Sequence, residues 1–224
     1  MTDAVPPLRS FGRVRGRPLK PRQETLIDTL LPGLSLPTDA RALAELASNA
    51  TEVWLEIGFG AGEHLTGQAA RRPQTLFLGA EPFLNGVGQT LAKIEDLGLR
   101  NVRLHAGDVR EILPRLPDFV LDRVFILFPD PWPKTRHQKR RLIQPAFISD
   151  LTRVVRPGGK VRLATDWADY ADQFLSVLIR SGGFIWTAER ADDWRRPPSD
   201  HVTTRYEAKG LGDCPPVFLD FLRA

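Results

Sequence analysis

Residues 51–81 read TEVWLEIGFGAGEHLTGQAARRPQTLFLGAE, and this stretch decides the fold. It holds an apolar run over 53–57, a glycine-rich loop, a helix-like segment ending near Arg71, and a second apolar run over 75–80. Short apolar runs of this kind predict buried strands, and a helix between two of them predicts that they pair in parallel. The stretch therefore predicts a βαβ unit with glycines between its first strand and its helix.

The same alternation of strand and helix continues to the end of the chain. Apolar residues at three- and four-residue spacing from Leu84 to Ile94 predict the next helix. Pro157-Gly158-Gly159 is expected to end a helix and turn the chain. Further strands are predicted at 102–106, 123–128, 160–165, 184–188 and 217–222, and further helices at 147–155 and 170–181. We therefore expect one α/β domain over 25–224, built on a mostly parallel sheet with helices on both faces.

Composition narrows the class of protein. The 224 residues carry a net charge of +4 and a single cysteine, Cys214, so no internal disulfide can form. The sequence has neither an apolar run of membrane-spanning length nor a signal-peptide core, so we expect a cytoplasmic protein. Residues 1–24 form a basic segment rich in proline and glycine, for which we expect a flexible arm. Whether this arm is simply solvated or contacts phosphates stays open.

The glycine loop predicts a nucleotide-like cofactor. Gly58, Gly60 and Gly62 lie between a strand and a helix, where bare backbone can approach a ligand. A dinucleotide-binding loop would need glycine or alanine at the position that Glu63 occupies, which disfavours an NAD dehydrogenase. Glu56, in front of the glycines, suits the ammonium group of an amino acid better than a phosphate.

Two more carboxylates follow the next strands. Glu81 ends the second strand, where it could accept both hydroxyls of a ribose. Asp108 follows the third strand, where it could accept from an adenine amine. Both side chains and Glu56 are expected at one edge of the sheet, which points to S-adenosylmethionine.

The loop after the fourth strand is the most informative segment for function. It reads Phe128-Pro129-Asp130-Pro131-Trp132-Pro133-Lys134, so prolines stiffen the chain on both sides of one aspartate. The eight residues from Lys134 to Arg141 contain five lysines or arginines and His137. A basic run attached to a rigid loop at the ligand-binding edge predicts a phosphate clamp for a nucleic acid.

The sequence resembles the bacterial tRNA (guanine-N7)-methyltransferase family, and the resemblance extends from about residue 9 to the end. It rests on the segment from Phe128 to Arg141 together with Glu56-Ile57-Gly58-Phe59-Gly60-Ala61-Gly62-Glu63-His64, Gly79-Ala80-Glu81-Pro82-Phe83 and Thr204-Arg205-Tyr206-Glu207. It implies the Rossmann-like fold of class I methyltransferases, a seven-stranded sheet whose last strand is antiparallel and inserted beside its neighbours. It also implies transfer of a methyl group from S-adenosylmethionine to a guanine in the variable loop of tRNA. By position, Asp130 is the implied catalytic residue and a cofactor contact, together with Glu56, Glu81 and Asp108. The implied substrate or RNA contacts are Lys134, Arg136, His137, Lys139, Arg140, Arg141, Asp166, Thr204, Arg205, Tyr206 and Glu207.

The chemistry of guanine N7 agrees with this set of residues. N7 carries a lone pair and no proton, so methyl transfer needs no general base. An aspartate such as Asp130 could accept from guanine N1–H and the exocyclic amine, and stabilise the positive charge that grows on the base. Two other functions stay open, an exocyclic-amine methyltransferase acting on RNA or DNA and a non-catalytic RNA-binding relative. We expect no metal, and either a monomer or a homodimer.

Several of these residues also have a purely structural interpretation. Thr204 and Glu207 have the spacing of a helix capping box, which is compatible with a substrate contact. Asp166 could instead cap the helix that follows it. Trp132 and Trp194 could stack on a base or belong to the core. His137 could touch RNA or pack against its neighbours.

Overall fold

The structure is a computed structural model that describes residues 11–12, 16–37 and 39–224. The strands are β1 (Glu52–Ile57), β2 (Thr75–Ala80), β3 (Val102–His105), β4 (Leu121–Leu127), β5 (Val155–Thr165), β6 (Phe184–Trp186) and β7 (Val217–Arg223). The helices are α1 (Pro21–Thr29), α2 (Leu31–Leu34), α3 (Ala40–Ser48), α4 (Glu63–Arg71), α5 (Leu84–Asp96), α6 (Pro145–Val154), α7 (Ala168–Arg180) and α8 (Asp192–Arg195). Short 3₁₀ turns lie at Val109–Glu111, Leu113–Arg115, Thr135–Arg140 and Glu207–Lys209.

The seven strands form one sheet in the order β3-β2-β1-β4-β5-β7-β6. β1 pairs in parallel with β2 and with β4, so the strand order reverses direction at β1. β7 is antiparallel to both β5 and β6 and lies between them. The predicted α/β fold with a mostly parallel sheet and an inserted antiparallel last strand is confirmed. Ligands bind beyond the carboxyl ends of strands at such a reversal, which here means the loops after β1, β2 and β4.

Each face of the sheet is covered by its own hydrophobic core. On one face, Leu65 of α4 and Leu91 of α5 pack against Trp54, Phe77 and Phe125 of the sheet. On the other face, helices α3, α6 and α7 pack against alternate residues of the same strands, among them Leu55, Leu78, Val124 and Ile126. Successive side chains in a strand point to opposite faces, so a strand buried on both sides reads as the continuous apolar run seen in the sequence.

The chain departs from the sequence expectation at the start of β5. The helix before it, α6, ends at Val154, before the Pro157-Gly158-Gly159 turn that was predicted to end it. The pairing of β4 with β5 jumps from Leu121↔Val155 to Arg123↔Lys160, so the residues between bulge out of the ladder. Proline cannot donate to the ladder and Gly158 has φ +73°, which places this segment in a bulge.

The amino-terminal segment contains more regular structure than its composition indicates. Helix α1 begins at Pro21, inside the basic arm predicted for 1–24, and Leu26 is buried against the core on the α5 side. Gly16 N–H donates to Asn85 Oδ1 at 2.9 Å, and Asn85 Nδ2 donates to the carbonyl of Arg17 at 2.7 Å. The predicted basic residues Arg9, Arg13 and Arg15 lie outside the described residues. Within the part of the chain that is described, no helix has the length and apolar character needed to cross a membrane.

Candidate active site

A cavity of about 430 Å³ opens at the carboxyl edge of β1, β2, β3 and β4. It lies where the strand order reverses, the expected place for a ligand in a doubly wound sheet. Ten of the predicted site residues line it: Glu56, Gly58, Gly60, Glu81, Asp108, Asp130, Arg140, Thr204, Arg205 and Tyr206. Residues from distant parts of the sequence therefore meet around one cavity.

The glycine loop forms the floor of this cavity. Gly58 and Gly60 have φ +75° and +53°, and a Cβ added to either would meet nothing within 4 Å. Gly62 has a different role, because a Cβ there would overlap the side chain of Thr90 on α5. Gly62 is buried at the start of α4 and is not among the residues that line the cavity, and its role as a cofactor contact stays a prediction. It allows α4 and α5 to pack closely below the loop.

Glu81 is held at the cavity by two backbone donors. Its Oε2 accepts from Gly60 N–H at 2.8 Å and its Oε1 accepts from Phe83 N–H at 2.8 Å. Burial raises the pKa of Glu81, although these two backbone donors act in the opposite direction. Each oxygen keeps a second lone pair, so Glu81 can still accept from the hydroxyls of a ribose.

Asp108 lies on the cavity wall, where Arg110 already holds its carboxylate. Arg110 Nε donates to Asp108 Oδ1 at 2.9 Å, and Arg110 Nη2 donates to Oδ2 at 2.7 Å. The backbone N–H of Arg110 donates to Oδ1 as well, at 3.0 Å. Sequence reasoning missed Arg110, which fixes the orientation of the carboxylate predicted to face adenine.

The loop after β4 carries Asp130 at the mouth of the cavity. Phe128 and Trp132 on either side of it have φ of +52° and +42°, a backbone conformation that is uncommon outside glycine. Strained backbone of this kind persists where the surrounding structure fixes it, often at functional sites. The side chain of Asp130 is accessible at the mouth of the cavity. Desolvation by the protein atoms around its carboxylate raises the pKa of Asp130 above the ordinary aspartate value.

The basic run does not behave as one surface. Lys134, Arg136 and Lys139 are exposed, whereas His137 is partly covered and forms an edge-to-face contact with Trp132 at 6.0 Å. Partial desolvation and the nearby cations, Arg140 first, lower the pKa of His137. His137 is therefore neutral near pH 7 and adds no charge to this surface.

Arg141 is buried, in contrast to its neighbours. Its side chain is 1% exposed and lies over the ring of Tyr170, 4.5 Å from the centroid. It donates to the carbonyl of Pro131 at 2.7 Å, to Gln173 Oε1 at 2.9 Å and to Asp169 Oδ2 at 2.5 Å. These contacts are all internal to the protein, and the RNA contact expected of Arg141 stays a prediction. Through Pro131, it holds the loop that carries Asp130.

Arg140 brings an aromatic residue of the amino-terminal segment into the site. Its guanidinium lies 4.9 Å from the ring centroid of Trp132 and 5.2 Å from that of Phe11. Phe11 and Gly12 also line the cavity, and a Cβ on Gly12 would lie 3.7 Å from Asp130 Oδ2. Sequence reasoning missed Phe11. The only signal was an aromatic residue in an otherwise basic and flexible-looking arm.

The segment from Thr204 to Glu207 contributes three residues to the cavity lining. Glu207 N–H donates to Thr204 Oγ1 at 3.2 Å, and Thr204 N–H donates to Glu207 Oε2 at 3.4 Å, which are the reciprocal bonds of a capping box. They close a turn before the short 3₁₀ segment Glu207–Lys209 and do not start an α-helix. Glu207 also pairs with His201 at 2.7 Å and faces away from the cavity lining. Tyr206 packs on Phe128 with ring centroids 5.7 Å apart. Within this segment, a ligand in the cavity can therefore reach Thr204, Arg205 and Tyr206.

Asp166 lies behind this wall and is 3% exposed. Among the described residues, no donor reaches its Oδ1 within hydrogen-bonding distance. The alternative role as a helix cap is wrong, since Trp167 stands at the cap position of α7 and Asp213 accepts from Ala168 N–H at 2.9 Å. Trp194 packs partly buried against the core, as its structural interpretation predicted.

The described residues include no group of three or more His, Cys, Asp or Glu that could hold a metal ion. The donor set around the cavity consists instead of carboxylates, bare backbone and aromatic rings. Such a set suits an organic ligand with hydroxyl, amine and ammonium groups.

Comparison with solved structures agrees with the fold. A mutant 16S rRNA (adenine(1408)-N(1))-methyltransferase from Catenulisporales acidiphilia, with cosubstrate SAM, matches with TM-score 0.61 at 18% identity over 84% of this chain and 93% of that chain. The 16S rRNA methyltransferase KamB matches with TM-score 0.58 at 17% identity, covering 83% of this chain and 95% of that one. At these identities, the likeness concerns the fold.

Sequence comparison gives a closer relation. Residues 50–217 match a family model described as a putative methyltransferase. The tRNA (guanine-N(7)-)-methyltransferase of Caulobacter vibrioides is 56% identical over 217 residues, covering 97% of this chain and 96% of that protein. The enzymes of the same name from Hyphomonas neptunium and Rhodospirillum rubrum are 49% and 45% identical, each over 96% of this chain and over 99% and 88% of their own lengths. The chain belongs to the tRNA (guanine-N(7)-)-methyltransferase family.

Proposed function

We propose that this protein transfers the methyl group of S-adenosylmethionine to N7 of a guanine in the variable loop of tRNA. The observation that carries the proposal is the position of Asp130, at the mouth of a carboxylate-lined cavity and beside an exposed basic loop. Family membership supports the same activity. A tRNA substrate would place the enzyme in the cytoplasm.

The chemistry of the residues that line the cavity supports S-adenosylmethionine as the ligand. The open space above Gly58 and Gly60 accepts a ligand in close contact with backbone. Glu56 would pair with the ammonium group, Glu81 would accept the ribose hydroxyls, and Asp108 would face the adenine amine. When bound, the cofactor supplies a methyl group on a positively charged sulfur, which leaves as a neutral thioether.

Asp130 would orient the acceptor base and stabilise the positive charge that develops on it. Guanine N7 attacks through a lone pair and has no proton to lose, so the protein needs no general base. The base acquires positive charge as the N7–C bond forms. A carboxylate of Asp130 that accepts from N1–H and the exocyclic amine holds the base and stabilises that charge.

The surroundings of Asp130 suit a base taken out of its stack. The aromatic rings of Phe11 and Trp132 both lie near the guanidinium of Arg140, and all three residues line the cavity. Bases stack on aromatic rings and on guanidinium planes in RNA-binding proteins. The exposed Lys134, Arg136 and Lys139 would neutralise backbone phosphates next to the flipped nucleotide.

The test is methylation of bulk tRNA from a strain that lacks 7-methylguanosine, using labelled S-adenosylmethionine. We expect label at a single guanosine, located by borohydride and aniline treatment, which cleaves RNA at 7-methylguanosine. Asp130→Asn keeps the size of the side chain but removes its charge, and should lose turnover while keeping most of the tRNA affinity. Label found only in N2-methyl or N6-methyl nucleosides would identify an exocyclic-amine methyltransferase. Binding of tRNA by the wild type with no transfer of label would identify a non-catalytic relative.

A further inference from the structure

A series of buried or partly buried hydrogen bonds leads from Glu56 through His64 and Gln68 to Asp200, and neither His64 nor Gln68 lines the cavity. His64, in the first turn of α4, has a side chain that is 1% exposed, and its Nδ1 lies 2.7 Å from Glu56 Oε2. The imidazole ring packs edge-to-face against Phe125, with centroids 4.6 Å apart. The glycine loop thus connects β1 to α4 in such a way that His64, in the first turn of α4, contacts Glu56 near the end of β1.

The next residue in the chain of contacts fixes which nitrogen of His64 carries the proton. Gln68 Nε2 donates to the carbonyl of Asp200 at 2.6 Å, and Gln68 Oε1 accepts from Arg72 Nη1 at 2.6 Å. These two partners determine the orientation of the amide. Gln68 Nε2 is also 3.1 Å from His64 Nε2, which must therefore accept. The proton lies on Nδ1, and His64 donates to Glu56.

Asp200, the last residue in this series of hydrogen bonds, is paired with two arginines of the sheet. Asp200 pairs with Arg162 at 2.6 Å and with Arg123 at 2.9 Å. Burial opposes ionisation of Asp200, but the two guanidinium groups prevail and lower its pKa to about 2. Asp200 stays charged at physiological pH, so the carbonyl that receives Gln68 belongs to a fixed segment just before Thr204.

We infer that His64 is a positioning residue that aims the Glu56 carboxylate at the amino acid end of the cofactor, an inference that rests on the proposed function. Without a donor at Nδ1, one oxygen of the buried Glu56 carboxylate would be unpaired, and the carboxylate would turn towards any remaining partner. In metal sites, losing the partner that orients a ligating side chain typically costs about 10- to 100-fold in affinity, and we expect the lower end of that range for the partner of a carboxylate that binds an ammonium group. His64 thus makes the site discriminate between ligands with and without an ammonium group.

The experiment compares two ligands that differ at the end Glu56 faces. S-adenosylhomocysteine carries the amino acid group, whereas 5′-methylthioadenosine keeps the adenosine and lacks that group. For His64→Leu, which packs without donating, we expect about 10-fold weaker binding of S-adenosylhomocysteine and less than about 2-fold change for 5′-methylthioadenosine. His64→Asn places an amide donor near the position of Nδ1 and should restore most of the affinity. In turnover, KM for S-adenosylmethionine should rise more than kcat falls.

The outcomes separate this inference from the proposed function. If the wild type binds neither ligand, the proposed function fails and the role of His64 fails with it. If the wild type binds both and His64→Leu weakens both equally, or neither, the inference alone is overturned. Should His64→Leu fail to fold, Gln68→Met removes the donor that fixes the tautomer. It is then expected to show the same ligand-selective loss at about 2- to 5-fold, and a uniform loss would overturn the inference.

Discussion

Replacing Arg141 should destabilise the protein rather than remove an RNA contact. Arg141→Met keeps an unbranched side chain of similar reach but removes every donor of the guanidinium. The Pro131 carbonyl and Gln173 Oε1, both on half-buried residues, then lose their partners. The contact with the ring of Tyr170 also loses its charge. Loss of the ion pair with Asp169 should contribute little to the destabilisation, because the Asp169 side chain is 43% exposed and water can solvate it.

The expected magnitude follows from these contacts. Leaving an acceptor unsatisfied in a half-buried position costs about 1–2 kcal/mol, the lower part of the usual range, so two of them predict a loss of about 2–4 kcal/mol in the free energy of unfolding. For a chain of this size, that corresponds to a decrease of about 5–15 °C in Tm. Arg136→Met is the matched control, because Arg136 is exposed in the same run and should change stability by less than about 0.5 kcal/mol.

Urea denaturation and tRNA binding, measured on both variants, separate the two roles. We expect Arg141→Met to unfold at lower urea with an unchanged m-value, and Arg136→Met to retain wild-type stability and bind tRNA less tightly. The reasoning would be refuted if Arg141→Met were as stable as the wild type and lost tRNA affinity as Arg136→Met does.

Three further predictions concern the cavity and its surroundings. Gly62→Ala should lower Tm more than Gly60→Ala, because both positions have positive φ but only the Cβ at Gly62 overlaps Thr90. Gly60→Ala should weaken S-adenosylhomocysteine binding, measured by calorimetry, more than Gly62→Ala does; the reverse pattern would contradict the assigned roles. At saturating S-adenosylmethionine, kcat/KM for tRNA should fall as pH decreases through a midpoint above the ordinary aspartate value, since the pKa of Asp130 is raised and its charged form is the active one; a rate that stays flat through this range counts against that role. Changing the exposed Lys134, Arg136 and Lys139 together to Gln should reduce the slope of log Kd against log salt by about 2–3, and an unchanged slope would exclude phosphate contacts.

The sheet could be predicted from the sequence because its strands are buried on both faces. Runs such as 53–57 and 75–80 leave little alternative to a buried strand, and the bounds of β2 agree with the prediction. The bulge at Pro157-Gly158-Gly159 could not be predicted, since the same residues also end helices. Helix α1 was missed because its buried face, centred on Leu26, is short and follows a polar, proline-rich segment.

At the site, the sequence predicted which residues follow which strand, but not which of them are buried. Arg140 and Arg141 are identical neighbours in the basic run, yet one stacks over Trp132 and the other is enclosed between the Pro131 loop and α7. The roles of His64 and Arg110 depend on side-chain contacts with Glu56 and Asp108 that no spacing reveals. Phe11 reaches the cavity through the path of the amino-terminal segment, which a composition of arginine, glycine and proline does not specify.

The central claim is that the acceptor atom is guanine N7, and removing that atom tests it most directly. A tRNA transcript in which 7-deazaguanosine replaces guanosine keeps N1–H and the exocyclic amine but has no lone pair at position 7. We predict that it competes with the unmodified transcript for binding and accepts no methyl group from labelled S-adenosylmethionine. Transfer of label to the 7-deaza transcript would show that another atom is methylated and would contradict this account.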